Sequence, residues 1–154
     1  MPIVSAEKFF VKGLEALEDR NFIDGAMFFR RAMDIETQRR VQQPDMRYLS
    51  YYGLCRAHAH SRVQEGLHAC IRAARTRSQD PDMFLNLGRV FLMARQKSSA
   101  YRAFQAGLDI EPGHETLALE SSRLARRLPR SVTARHGEGF FARIRSALSR
   151  GPQA

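Results

Sequence analysis

The sequence predicts an all-α fold, a solenoid of three helical hairpins followed by a capping helix and a short C-terminal amphipathic helix. Apolar residues recur at steps of three and four, as at Phe84, Leu87 and Phe91, and no stretch alternates between apolar and polar residues as a strand would. Small residues recur in phase, as at Gly53 and Gly88, which are 35 residues apart. A period of this length in an all-helical chain is typical of stacked helical hairpins.

The composition is that of an ordinary globular protein. The chain has 154 residues, of which 44% are hydrophobic and 27% are charged, enough for one domain with a buried core. It has no apolar run near the roughly 20 residues that span a bilayer. Its N-terminus lacks the features of a signal peptide, so we expect a cytoplasmic protein. Cys55 and Cys70 do not form a CxxC pair and are expected to be small buried residues in a reducing compartment.

The positive charge is concentrated in the C-terminal part of the chain. The formal net charge is +9, and residues 121–154 hold eight arginines against one acidic residue, Glu138. The preceding residues are therefore nearly neutral, with a net charge of +2. Because a nucleic-acid-binding domain is usually basic over its whole binding face, this distribution argues against the whole protein being a nucleic-acid binder.

Three copies of one pattern predict the three hairpins, over about residues 6–39, 46–80 and 81–112. Ser5, and Asp80 followed by Pro81, mark helix starts. Small residues on both helices of a hairpin let the helices approach closely, so that large side chains interdigitate. The three sets are Gly13, Gly25, Phe29 and Ala32, then Gly53, Gly66, Cys70 and Ala73, then Gly88, Ala100, Phe104 and Gly107. The first two sets are 40 or 41 residues apart, so we expect a longer helix or loop around residues 37–45.

These residues resemble the tetratricopeptide repeat (TPR) family. The third copy matches every usual position of the motif, with Phe84, Leu87, Gly88 and Phe91 on the first helix and Ala100, Phe104, Gly107 and Pro112 after it. The first two copies match less well, with Lys12 at a leucine position and Arg56 at a tyrosine position. The resemblance covers about residues 6–112 and implies a module that binds proteins. In size and architecture the chain also looks like the small chaperones of bacterial secretion systems, from which the basic tail departs.

The resemblance implies that the first helix of each hairpin lines a concave groove. By register, the lining residues are Phe10, Leu14 and Leu17, then Arg47, Ser50, Leu54 and His58, then Asp82, Leu85, Arg89 and Leu92. This mainly apolar set suits a helix or an extended peptide with apolar anchors. The family's clamp for a C-terminal carboxylate uses lysines and asparagines on these helices. This chain has Phe10 and Leu14 in that part of the first hairpin, and Arg89 is nearly the only basic lining residue, so we do not expect that clamp. About one in three of the apolar residues is expected to pack inside the protein instead.

The chain after Pro112 is expected to form a capping helix over residues 114–128 and a linker over 129–139. Residues 140–150 read as a basic amphipathic helix, which is too short to be stable alone in water. Its side chains include Phe140, Phe141, Arg143, Ile144, Arg145 and Leu148. Three receivers remain open for it: the protein itself, a partner protein or second copy of the chain, and an anionic membrane surface. Nucleic acid is the least favoured, because no aromatic platform accompanies the arginines.

No catalytic or metal-binding motif is present in the sequence. GxSxG, HExxH and the glycine-rich phosphate loop are absent. His58 and His60 are two residues apart, on different sides of a helix, so they cannot hold one metal ion together. A metal site would need His68, on the other helix of the hairpin, to approach His58. We therefore expect a non-catalytic adaptor or chaperone-like scaffold without a cofactor, with a peripheral membrane tether as the alternative.

Overall fold

The chain is all-helical over the residues that the computed structural model describes, 5–59 and 61–134. These residues form α1 (Ala6–Glu18), α2 (Phe22–Gln38), α3 (Met46–Ala59), α4 (Val63–Thr76), α5 (Pro81–Met93), α6 (Lys97–Ile110), α7 (Glu115–Ala125) and α8 (Arg130–Thr133), and no strand. Helices α1 and α2, α3 and α4, and α5 and α6 pack against each other as hairpins. The prediction of an all-α fold built from helical hairpins is confirmed.

The described chain divides into two compact units between Ser78 and Gln79. In the first unit α1 packs on α2, α2 on α3 and α3 on α4; in the second unit α5 packs on α6 and α6 on α7. The predicted capping helix contains α7. Part of the predicted linker, however, is the short helix α8, which starts directly after Pro129. A proline has its φ angle fixed near the helical value, and the start of a helix needs no backbone N–H from it. Pro129 therefore precedes a helical turn, although proline also ends helices.

Both predicted helix starts carry side-chain caps. The Ser5 hydroxyl accepts a hydrogen bond from the backbone N–H of Lys8 at 3.3 Å. The Asp80 carboxylate accepts one from the backbone N–H of Asp82 at 3.1 Å, and Pro81 is the first residue of α5. These oxygens satisfy donors that a helix N-terminus otherwise leaves without a partner.

The extra residues between the first and second hairpins are shared between a helix and a loop. Helix α2 has 17 residues, three more than α4 or α6 with 14. The connection after α2, residues 39–45, is likewise longer than the connection after α4, residues 77–80. The predicted lengthening therefore occurs in both places.

The second hairpin is held by a contact between two glycines. A Cβ atom added to Gly53 would lie 2.8 Å from the Gly66 carbonyl oxygen, and one added to Gly66 would collide with the Gly53 carbonyl oxygen. Real Cβ atoms do not approach backbone oxygens this closely, so α3 and α4 touch through their backbones. The prediction that these glycines mark close helix approach is confirmed.

The first and third hairpins use their glycines differently, because each faces a phenylalanine ring. A Cβ atom on Gly13 would overlap the ring of Phe29, and one on Gly88 would overlap the ring of Phe104. Both rings are fully buried. Each glycine therefore leaves the space that a large core side chain from the opposite helix fills. The apolar burial of that side chain offsets the low helix propensity of the glycine.

Candidate functional site

An aromatic cluster forms the core behind α1 and includes Phe10, which the register placed in the groove. The Phe10 ring centroid lies 5.3 Å from Tyr48, 5.5 Å from Tyr51 and 5.7 Å from Phe29. Phe10 is only 5% exposed, because the aromatic residues of α3 cover it. Its side chain is therefore part of the protein core.

Three further residues of the predicted groove are also buried. Ser50 is 0% exposed, Leu54 2% and Leu85 8%. The carbonyl oxygen of Ser50 accepts a hydrogen bond from the Cys70 thiol at 3.3 Å, which ties α3 to α4. These residues lie in the interior of the protein, so fewer of the predicted groove residues are accessible than the repeat register predicts.

Among the predicted groove residues of the first unit, the accessible apolar ones are Leu14 and Leu17. Both are half-buried and pack on the aromatic cluster, and both keep part of their surface open. His58 is exposed, and its ring stacks on Phe22, with 4.1 Å between the ring centroids and 8° between the ring planes. This stack extends the partly apolar surface of the unit, and no sequence pattern predicts it, since Phe22 and His58 lie on different helices.

Arg47 joins the start of α3 to α1. Its guanidinium donates to the Asp45 carboxylate at 2.7 Å and to the Glu7 carboxylate at 2.9 Å. It also lies 4.6 Å above the Phe10 ring centroid, in the geometry of a cation–π contact. The Tyr48 hydroxyl donates to the same Glu7 carboxylate at 3.1 Å. Arg47 therefore has structural partners already, and its positive charge is largely neutralised within the protein.

The pKa of Asp45 reflects this network. Burial alone raises the pKa of this carboxyl, but the hydrogen bonds and charge of Arg47, together with the Arg77 guanidinium at 3.1 Å, outweigh burial and lower it below its ordinary value. The hydrogen bond to Asp45 raises the pKa of Arg47 in turn. Asp45 is therefore ionised at neutral pH and forms the centre of the network.

The two charged residues predicted on α5, Asp82 and Arg89, contact α7 and the residue that precedes it. The backbone N–H of Leu117 donates to His114 Nδ1 at 3.2 Å, so His114 Nε2 carries the proton and donates to Asp82 at 3.0 Å. Arg89 lies 3.6 Å from the Glu120 carboxylate. Leu92 is half-buried. A hydrogen bond from His114 thus holds Asp82, the Glu120 carboxylate holds Arg89, and Leu92 is the accessible apolar residue among those predicted on α5.

The two thiols are core residues, as predicted. Cys55 and Cys70 are both free and 0% exposed. Burial raises the pKa of each thiol to about 12, so both stay protonated at neutral pH. Among the described residues no group of three or more His, Cys, Asp and Glu side chains could hold a metal ion, and no helix is long and apolar enough to cross a membrane.

The predicted C-terminal contacts lie outside the described residues. They are Phe140, Phe141, Arg143, Ile144, Arg145 and Leu148, and His60 lies outside as well. The receiver of the predicted amphipathic helix stays a prediction.

No protein-family model and no curated protein matches the sequence. Solved structures match the fold. The TPR domain of OM64 from Arabidopsis is 16% identical to this chain with a TM-score of 0.63, and the match covers 80% of this chain and 96% of that domain. The first TPR of Spaghetti (RPAP3), solved bound to the HSP90 peptide SRMEEVD, is 10% identical with a TM-score of 0.64, and the match covers 80% of this chain and 94% of that one. The chain therefore has the fold of TPR domains.

Proposed function

We propose that this chain, which has the TPR fold, is a non-catalytic protein–protein interaction module. In this proposal it binds a peptide or helix of its partner against the first helices of its hairpins. The observation that carries the proposal is that a domain of the same fold has been solved with a peptide bound. Peptide binding by that domain is a property of that domain, and for this chain it is the hypothesis to be tested.

The accessible residues on the first helices support this proposal. Leu14 and Leu17 on α1 of the first unit, and Leu92 on α5 of the second, are half-buried apolar residues on rigid supports. Such residues serve as anchors, because they add apolar burial on binding at little cost in side-chain ordering. Arg89 lies three residues before Leu92 on α5 and Asp82 lies in the first turn of the same helix, and both would orient a ligand through polar contacts.

The state of the nucleophiles supports a non-catalytic role. Cys55 and Cys70 are fully buried and protonated, so neither presents a thiolate to a substrate. The charged residues of the predicted site, Arg47 and Arg89, are paired with carboxylates of the protein. These pairs are of the kind that hold elements together at a surface.

The proposal is tested by capture of partners from the native cell with the tagged full-length chain. Proteins bound by the wild type are quantified by mass spectrometry against those bound by Leu17→Glu and by Leu92→Glu. A charge at a central apolar anchor should reduce capture of a true partner at least tenfold, since such anchors contribute about 2 kcal/mol or more. Circular dichroism of each variant verifies that its helices are intact.

Matched controls are available on the same units. Ile23 on α2 is 61% exposed and Leu119 on α7 is 51% exposed, and both lie outside the predicted groove. Ile23→Glu and Leu119→Glu introduce the same charge and should capture the same proteins as the wild type. Equal capture by all five chains would contradict the proposal, as would the absence of any protein whose capture depends on Leu17 or Leu92.

A further inference from the structure

The first unit contains a pocket of about 380 Å³ away from the predicted groove. It lies between the end of α2, the long connection of residues 39–45, the start of α3, and α4. Its volume falls in the range of pockets that bind small ligands or single anchor side chains. The apolar part of its wall is formed by Met33, Val41, Pro44, Met46 and Leu49.

Two arginines, Arg40 and Arg72, line the same pocket, and both are exposed. Among the described residues, neither guanidinium has a hydrogen bond or an ion pair with a carboxylate. The position of Arg40 is fixed by the backbone, since its N–H donates to the Thr37 carbonyl at 3.1 Å and its φ is 53°. The pocket therefore combines an apolar wall with two available cations.

The two carboxylates of the pocket are already engaged. Asp45 accepts hydrogen bonds from Arg47 and Arg77. Glu36 accepts the backbone N–H of Asp45 through both of its oxygens, at 3.0 and 3.2 Å. With Asp45 neutralised, Glu36 offsets only one of the two free guanidiniums. The pocket is left with about one uncompensated positive charge, which fits a ligand with a single carboxylate.

We propose that this pocket binds a partner peptide in which one Asp or Glu side chain is adjacent to a large apolar residue. The apolar side chain fills the space between Met33, Met46 and Leu49, and the carboxylate lies between the guanidiniums of Arg40 and Arg72. A nucleic acid or a lipid surface fits less well, because each presents many anions to a pocket that also contains Glu36. None of its lining residues is one that the proposed function uses, although Met46 and Leu49 lie on α3.

The test uses two capped dipeptides, acetyl-Leu-Glu-amide and acetyl-Glu-Leu-amide, as probes for the full-length chain. The protein is labelled with ¹³C at its six methionine methyl groups, and their NMR signals are followed during titration. We expect saturable shifts at Met33 and Met46, with Met83 and Met93 as internal references outside the pocket. Ligands of this size bind with dissociation constants on the order of 1 mM.

Two sets of controls separate charge from apolar contact. Replacement of Glu by Gln in the dipeptide, or of Leu by Gly, should weaken binding at least fivefold. The double variant Arg40→Gln/Arg72→Gln should lose the shifts, whereas Arg75→Gln, which changes an exposed arginine of the same helix outside the pocket, should retain them. Circular dichroism verifies that each variant is folded.

The proposal is overturned if neither dipeptide gives saturable shifts, if the Gln analogues bind as well as the Glu peptides, or if the double variant binds normally. Tighter saturation by octanoate than by either dipeptide would assign the pocket to a small amphipathic carboxylate and overturn the peptide assignment. None of these outcomes depends on Leu17 or Leu92, so the failure of this proposal is distinct from the failure of the proposed function.

Discussion

Single residues without a side chain determine how closely the helices of each hairpin pack. Gly53 and Gly66 bring two backbones into contact, and Gly13 and Gly88 each leave room for a phenylalanine ring. These positions were predictable because their spacing repeats along the sequence. The depth of Phe10 was not, since its burial depends on Tyr48 and Tyr51, which come from the next hairpin.

Gly53→Ala should destabilise the protein although alanine is the better helix former. Alanine gains about 1 kcal/mol in helix propensity, but its Cβ would meet the Gly66 carbonyl oxygen at 2.8 Å, and overpacking against backbone costs about 1–3 kcal/mol. We expect a net loss of up to about 2 kcal/mol in the free energy of unfolding, measured by urea denaturation. The control is Gly113→Ala, whose Cβ would have no atom within 4 Å and which should change stability by less than about 0.5 kcal/mol. Equal stability of the two variants would contradict the packing described.

The turns that end several helices are built on an unfavourable backbone conformation. Arg20, Arg40, Ser61 and Arg95 all have positive φ, between 51° and 60°. After α5, the N–H of Arg95 donates to the Leu92 carbonyl at 3.0 Å and that of Gln96 to the Phe91 carbonyl at 2.9 Å, which is the Schellman pattern that glycine usually completes. These turns could not be predicted from the sequence, because arginine is not a residue that favours positive φ.

Arg95→Gly should therefore stabilise the protein by about 0.5–1 kcal/mol, because glycine adopts positive φ without the steric cost that other residues incur. Thermal and urea unfolding of the variant measure the gain. Arg95→Ala removes the same side chain but keeps the cost, so it should remain close to the wild type. If alanine stabilised as much as glycine, the effect would come from the arginine side chain and not from the turn.

The junction between α2 and α3 depends on one ionised carboxylate. Because the folded-state pKa of Asp45 lies below its ordinary value of 3.8, its contribution to stability is complete above that value and is lost as the pH falls through the folded-state pKa. Burial raises the pKa of Glu36, so Glu36 acts in the opposite direction. The sequence predicted a longer helix or loop here, but not the charged side chains that hold it in place.

Asp45→Asn should lower the free energy of unfolding by about 1–2 kcal/mol at neutral pH, where the ionised carboxylate otherwise binds Arg47 and Arg77. The difference between variant and wild type should shrink as the pH is lowered from neutral to values below 3.8, because the wild-type carboxyl becomes protonated. Urea denaturation at several pH values measures it. Since Glu36 is present in both proteins, its titration largely cancels. A difference that stayed constant over this range would contradict the role given to Asp45.

At the scale of the whole molecule, the sequence predicted the fold better than it predicted the site. The fold follows from periodic spacing, which one chain displays directly, and both TPR domains compared here share it. Accessibility at the site depends on which side chains cover one another, as Tyr48 covers Phe10, and the spacing of residues in the sequence does not encode that. Seven of the eleven predicted groove residues are at least partly exposed, and four are buried.

The concentration of arginines in residues 121–154 makes the membrane-tether alternative testable on the full chain. That hypothesis predicts co-sedimentation with phosphatidylserine vesicles at low salt, and a several-fold reduction for Phe141→Glu, since both apolar insertion and charge contribute to binding. Ile23→Glu makes the same kind of change at an exposed position of α2, and this variant should bind the vesicles like the wild type. No sedimentation of the full chain at low salt would exclude the tether.

The backbone contact between Gly53 and Gly66 also limits which second mutations can restore stability after one of these glycines is replaced. A larger residue at Gly13 or Gly88 can be compensated genetically, because trimming Phe29 or Phe104 restores the lost space. At Gly53 or Gly66 the main obstacle is a carbonyl oxygen, which no second mutation can remove. In a selection for restored stability, suppressors of Gly88→Ala should include changes at Phe104, whereas strains carrying Gly66→Ala should recover by reversion to glycine.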